Sequence, residues 1–243
     1  GSRIYAFAQG RLDQGFDPSD GDVELRLDEW AIRYSPDEEG RFSLQAGTFN
    51  TAVGTWAQRS YSWDNPFVNA PVPYENLTGI WDSELPDSGK ELRGWGHVVP
   101  TPWLPNETAD KHLRNPIAWG PSYGTGIAVM GRIGEVDYNL EIKNTSLSSR
   151  PGSWGVGDTD FSNPTFSGRI GWRPSPMWRF GASASVGAYL LPEAGKLLPA
   201  GKDLGDYRQI VFAQDAGFEW HHWQVWAEFF ETRFETPFGD ADT

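Results

Sequence analysis

The chain has 243 residues, a formal net charge of −13 at pH 7 and no cysteine. The absence of cysteine excludes disulfide frameworks and thiolate metal sites, and the acidic charge with scattered Lys and Arg argues against a nucleic-acid partner. No apolar run approaches the roughly 20 residues of a transmembrane helix, but a membrane β-strand needs only about 9–11 residues with alternate ones apolar.

Alternating apolar and polar side chains predict three β-strands near the N-terminus. Their sequences are RIYAFAQGRL, DVELRLDEWAIRY and RFSLQAGTF. In the second strand the apolar positions are odd-numbered up to Leu27 and even-numbered from Trp30 onward. A β-bulge near Asp28 and Glu29 would explain this shift, as would a misjudged register.

A long segment without strand periodicity, residues 50–121, follows these strands. It contains six of the thirteen tryptophans and nine of the eighteen prolines. A connection of this length is uncommon in a compact domain unless it is functional or disordered, and its aromatic content argues against disorder. We therefore expect an ordered excursion that packs on its own aromatic side chains.

Six further strands are predicted after the excursion, which makes nine in total. The clearest is EVDYNLEIKNTS, in which Val136, Leu140 and Ile142 lie on one face and Asp137 and Glu141 on the other. The other five are SYGTGIAVMGRI, PTFSGRIGWR, MWRFGASASVGAYL, DYRQIVFAQDAGFEW and WQVWAEFFETRF. The last is less regular than the others, because its polar face also carries two large aromatic residues, Trp226 and Phe230.

The connections between the nine predicted strands alternate between long and short. The long ones are 13–21, 50–121, 147–163 and 191–206, and the short ones are SPDEEG, Gly134, RPSP and His221-His222. Up-and-down membrane barrels have short turns at one end and long loops at the other, whereas a Greek-key sandwich gives no reason for such sorting.

Aromatic residues flank the short connections and fall on the apolar faces of their strands. Amphipathic rings favour the membrane–water interface, so we interpret these residues as an aromatic girdle at the short-turn end. Tryptophan at the ends of sheets in soluble proteins is the alternative. The girdle residues are Tyr34, Trp172, Trp178, Trp220 and Trp223.

Two segments carry a resemblance to a known family. GRFSLQAGTFNTAVGTW resembles the early strands of bacterial porin-like outer-membrane proteins, with phosphate-selective-type porins as the nearest analogue. SWDNPFVNAPVPYENLTGIWD is similar to a recurrent loop of large outer-membrane proteins. The resemblance implies a bacterial outer-membrane location and passive diffusion of small hydrophilic solutes, with no cofactor.

The fold expected from these patterns is all-β, an up-and-down antiparallel transmembrane β-barrel that forms a single domain over residues 1–243. Bacterial single-chain barrels have an even number of strands, whereas nine are visible here. The C-terminal FETPFGDADT reads as a polar loop. We therefore expect the barrel to be incomplete, with further strands after Thr243. Outer-membrane lipid and a small hydrophilic solute are the expected partners, and a homo-trimer is a possible assembly.

Charged residues on the polar faces are the expected lining of a channel, because lumen charge sets selectivity in such pores. These residues are Asp137, Glu141, Lys143, Arg169, Arg173, Arg179, Asp215, Glu219 and Glu228. The excursion would either enter the lumen or cap it from outside. If it enters, the charges expected at the constriction are Arg59, Asp64, Glu75, Asp82, Glu84 and Arg93.

Other functions have weaker support in the sequence. A metal site is not expected, because adjacent side chains such as His221 and His222 diverge in a turn. An enzyme is not expected either, since no nucleophile elbow, phosphate-binding loop or zinc-protease motif is present. Two alternatives stay open: a soluble tryptophan-rich β-sandwich that binds glycans, and a non-conducting barrel used for adhesion.

Overall fold

The computed structural model describes residues 3–13, 23–59, 70–74, 76–95, 114–151, 154 and 159–242. One antiparallel sheet dominates this part of the chain, with strands in the order β1-β2-β3-β6-β7-β8-β9-β10-β11-β12. Their bounds are β1 Ile4–Asp13, β2 Glu24–Tyr34, β3 Ser43–Phe49, β6 Gly124–Ile133, β7 Val136–Lys143, β8 Thr165–Trp172, β9 Trp178–Ala188, β10 Arg208–Trp220, β11 Trp223–Thr236 and β12 Gly239–Asp242. Each neighbour follows the last along the chain except across the excursion, so the sheet is an up-and-down meander. β1 and β12 are its edges, and no ladder joins them within the described residues.

The excursion between β3 and β6 is ordered where the structure describes it. It forms a separate two-stranded sheet from β4 (Leu77–Trp81) and β5 (Arg114–Pro116), and a short helix α1 (Gly89–Trp95). A 3-10 turn covers Ala57–Arg59. The sequence predicted an ordered segment here but neither of these strands.

All nine predicted strands of the large sheet are present, and a tenth was missed. The prediction that FETPFGDADT forms a polar loop is wrong, because β11 runs to Thr236 and β12 pairs with it through Arg233–Asp242 and Thr236–Gly239. The sequence Gly-Asp-Ala-Asp has no apolar alternation, so backbone pairing alone makes this strand. Its short turn lies at the long-loop end, where it breaks the alternation of the earlier connections.

The bulge predicted in β2 is confirmed. Gln9 faces Glu29 and the next residue, Gly10, faces Leu27, so Asp28 has no cross-strand partner in the ladder. The Asp28 carboxylate is buried and lies 2.7 Å from the Arg11 guanidinium nitrogen Nε. The extra residue explains why the apolar positions change parity within one strand.

The two faces of the large sheet have opposite polarity. One face, here called the covered face, lies under the excursion and carries buried polar residues such as Gln45, Glu141, Ser183 and Asp215. The other face, here called the apolar face, carries large apolar side chains that are exposed. Among them are Ile32, Leu44, Ile127, Leu140, Phe166, Ile170, Phe212 and Phe229. Globular proteins bury such side chains and expose the charged ones, so the sheet has inverted polarity.

The excursion packs on the covered face through an apolar cluster. Tyr74 contacts Phe230 of β11 edge to face, with ring centroids 5.4 Å apart. Val53 and Ala57 join them, together with Val211 of β10. This contact explains the irregular ninth strand of the sequence, because Phe230 packs on the excursion instead of facing solvent.

A glycine pair gives a test of the sheet. Gly126 of β6 faces Gly47 of β3, and a Cβ at position 126 would lie 2.0 Å from the Ile142 carbonyl oxygen. We predict that Gly126→Ala lowers the free energy of unfolding by about 1–3 kcal/mol, because the backbone must shift. Gly195→Ala is the control, since a Cβ there meets nothing within 4 Å. Urea unfolding followed by tryptophan fluorescence measures both, and equal losses would contradict the prediction.

Candidate functional site

The first part of the excursion, Thr51–Arg59, crosses the covered face and is held there by side chains of three strands. On β7, the Glu141 carboxylate accepts hydrogen bonds from the Thr51 hydroxyl at 3.0 Å and the Ala52 amide at 3.2 Å. On β9, the Ser183 hydroxyl accepts one from the Gly54 amide at 3.2 Å. This segment is called the crossing segment below.

The third anchor of the crossing segment is Glu228 on β11. Its carboxylate accepts hydrogen bonds from the amide and hydroxyl of Thr55, and from the Trp56 amide at 3.0 Å. Tyr74 lies beside it, and burial raises the pKa of the tyrosine hydroxyl well above its usual range, with a further contribution from the Glu228 charge. A single carboxylate therefore satisfies several donors of a tight turn.

Gly54 is required at the tightest point of this turn. Its φ is +73°, a conformation that residues with a Cβ rarely adopt. A Cβ there would lie 2.1 Å from the Tyr74 hydroxyl oxygen. The glycine thus allows the crossing segment to approach Glu228 and Tyr74 at the same time.

Beside the crossing segment, Arg169 of β8 bridges two carboxylates on neighbouring strands. Its guanidinium lies 2.7 Å from Asp215 of β10 and 3.1 Å from Asp137 of β7. Its side chain reaches past β9 because Gly181 has no Cβ, which would lie 2.3 Å from both the guanidinium and the Asp215 carboxylate. The arginine charge is therefore neutralised within the sheet face.

A second group of cations surrounds Trp226 of β11. The Arg59 guanidinium carbon lies 3.5 Å from the centroid of the indole ring, and that of Arg179 lies 5.0 Å from it. Arg179 also forms an ion pair with Glu219 of β10. Cation–π contacts of this kind hold the guanidinium group over the ring.

These groups line a cavity of about 220 Å³ on the covered face. Its charged lining consists of four arginines and two aspartates: Arg59, Arg169, Arg173, Arg179, Asp137 and Asp215. Thr55, Gln58, Asn139 and Trp226 add polar and aromatic groups. A second cavity of about 370 Å³ is lined by Glu29, Arg33 and Gln45 among others. Gln58 and Asn139 line both cavities, so they lie between them.

All nine residues predicted to line a channel fall on the covered face, as their pairing register shows. Glu141 and Lys143 are buried beneath the crossing segment, with their charged groups 3.6 Å apart. Five of the nine line the smaller cavity: Asp137, Arg169, Arg173, Arg179 and Asp215. Their role in a pore stays a prediction.

The residues predicted for a constriction separate into three groups. Arg59 reaches the smaller cavity. Asp82 is buried in an ion pair with Arg150, and burial raises the pKa of its carboxyl group while Arg150 lowers it in part. Neither Asp82 nor the exposed Glu84 and Arg93 lines the two cavities. Asp64 and Glu75 lie outside the described residues.

The five predicted girdle residues are all exposed on the apolar face, at strand ends next to short turns. Trp172 and Trp178 both contact Phe180, and Trp178 stacks on it with an interplanar angle of 6°. They form a continuous aromatic surface across β8, β9 and β10, while their role at a membrane interface stays a prediction.

Sequence reasoning missed several residues of the cavities. Gln58 and Thr55 carry no charge and lie in a segment without periodicity, so nothing in the sequence marked them. Trp226 gave a signal, since it disturbed the alternation of its strand, but the sequence did not show that arginines would cover it.

Two searches and three comparisons bound the chemistry. The described residues contain no group of three or more His, Asp or Glu that could hold a metal ion. No helix among them is long and apolar enough to cross a membrane. Comparison of the chain with protein-family models, curated protein sequences and solved structures found no match.

The anchor at Glu228 can be tested by protease cleavage. We predict that Glu228→Gln loosens the crossing segment, because charge-assisted hydrogen bonds contribute about 1.5–3 kcal/mol and an amide accepts more weakly. Trypsin cleavage after Arg59, mapped by mass spectrometry, should become at least about tenfold faster. Glu231→Gln, on the same strand but exposed on the apolar face, is the control and should cleave like the unmodified protein. Equal rates in the two variants would show that Glu228 is not an anchor.

Proposed function

We propose that the chain forms part of the wall of a bacterial outer-membrane β-barrel. The observation that carries this proposal is the inverted polarity of the sheet. Ile170 and Leu140 are 61% and 56% exposed on one face, while Glu141 and Lys143 are each only 3% exposed on the other. Barrel strands in a membrane point apolar residues at lipid and polar residues at the lumen, which gives this distribution.

The same barrel, in our proposal, is a passive channel for small hydrophilic solutes. The covered face would be the lumen wall, and the crossing segment would narrow it between β7 and β11. Cavities on both sides of Gln58 support an interior with room for water and solute. No cofactor is needed, since the barrier to diffusion would be set by width and charge.

A matched pair of leucines tests the membrane. Leu140 on the apolar face and Leu197 in the β9–β10 connection have nearly equal exposure, 56% and 55%. We predict that Leu140→Arg reduces the stability of the protein folded in lipid vesicles by about 2–4 kcal/mol, because it places a charge in hydrocarbon. Leu197→Arg should have little effect. Urea titration in vesicles measures both, and equal effects would contradict lipid contact at Leu140.

Conductance tests the channel itself. We expect the protein to require detergent for solubility, to migrate differently on gels with and without boiling, and to conduct ions in planar bilayers. Glu228→Gln should raise the single-channel conductance, because it loosens the crossing segment. A folded barrel that does not conduct would instead favour adhesion, and a monodisperse protein without detergent would favour the soluble glycan-binding sandwich.

A further inference from the structure

The smaller cavity has a sign of charge opposite to that of the whole chain. The chain carries a net charge of −13, whereas the cavity lining has four arginines against two aspartates. Both aspartates are bonded to Arg169, so their charges are used within the sheet. The positive charge that is left belongs to Arg59, Arg173 and Arg179.

Two of these three arginines are placed to act on a solute. Arg173 is 45% exposed in its side chain, and its nearest carboxylate, Asp137, is 3.5 Å away, beyond a good hydrogen bond. Arg59 lies flat on Trp226, which fixes the guanidinium and leaves its N–H groups directed outward in the plane of the group. Arg179 is paired with Glu219 and contributes less.

The uncharged part of the lining is suited to hydroxyl groups. Thr55, Gln58 and Asn139 supply a hydroxyl and two amides, which both donate and accept hydrogen bonds. The volume of about 220 Å³ equals that of roughly seven waters in the liquid. This is more room than inorganic phosphate needs, and it suits a solute of the size of one sugar ring.

We propose that this cavity is a binding site for a small polyhydroxylated carboxylate, with Arg59 and Arg173 as the groups that recognise the anion. Planar guanidinium groups match the two oxygens of a carboxylate, and the amides face the hydroxyl groups. The proposal deepens the channel function and rests on it, since the site lies on the covered face that would form the lumen. The protein would then select anions locally despite its acidic total charge.

Calorimetric titration of the protein in detergent micelles with D-glucuronate tests the site. We expect saturable binding at low salt, and binding of D-glucose at least about tenfold weaker, because the two differ by one carboxylate. Arg173→Gln and the double variant Arg59→Gln/Arg173→Gln should each weaken glucuronate binding by about tenfold or more. Arg33→Gln, in the second cavity and bonded to Gln45, is the control and should bind like the unmodified protein.

The outcomes distinguish this site from the channel. Equal binding of glucose, equal binding of inorganic phosphate, or an equal loss in Arg33→Gln would overturn the proposal. Conductance without glucuronate binding would leave the channel intact and refute the site. Glucuronate binding without conductance would refute the channel and keep the site. Heat-dependent gel migration shows that each variant is folded, and the exposed Arg173 offers the variant with the least risk to folding.

Discussion

The structure depends on one constraint: polar groups that are covered must find partners, because an unpaired buried donor or acceptor is strongly unfavourable. The covered face meets it with two carboxylates. Glu141 and Glu228 accept hydrogen bonds from the backbone and hydroxyls of the crossing segment, so the polar wall and the polar loop satisfy each other. An apolar wall would leave the amides of Ala52 and Trp56 unpaired. The position of the excursion therefore follows from the polarity of the sheet beneath it.

Charge is managed on the same face by short-range pairing. Arg169 takes both Asp137 and Asp215, and it can do so only because Gly181 leaves the path across β9 open. Buried ion pairs are stable when their hydrogen bonds are satisfied on both sides, as they are here. This neutralised centre separates the anchored crossing segment from the less satisfied Arg173, and so divides the covered face into a structural part and a part accessible to solute.

The sequence predicted the sheet well and the site poorly, for a physical reason. Period-2 alternation and the parity shift at Asp28 are local, so nine strands and the bulge could be read from neighbouring residues. The contacts that build the site join residues far apart in sequence, such as Thr55 with Glu228, and no local pattern encodes them. β12 was missed because backbone pairing without apolar alternation leaves no trace in composition. Asp82 was assigned to a constriction because its charge was visible, whereas its partner Arg150 was not.

The irregular ninth strand links these levels. Phe230 and Trp226 break the alternation of β11, and both lie where the excursion contacts the sheet: Phe230 beneath Tyr74, and Trp226 beneath Arg59. An aromatic residue on a polar face is unfavourable unless something covers it, so each of these exceptions marks a contact with the excursion. The apolar face has no such cover among the described residues, yet it carries the larger apolar area. The same physical rule that places the excursion on one face therefore requires a cover for the other, and lipid hydrocarbon would supply it along the whole sheet.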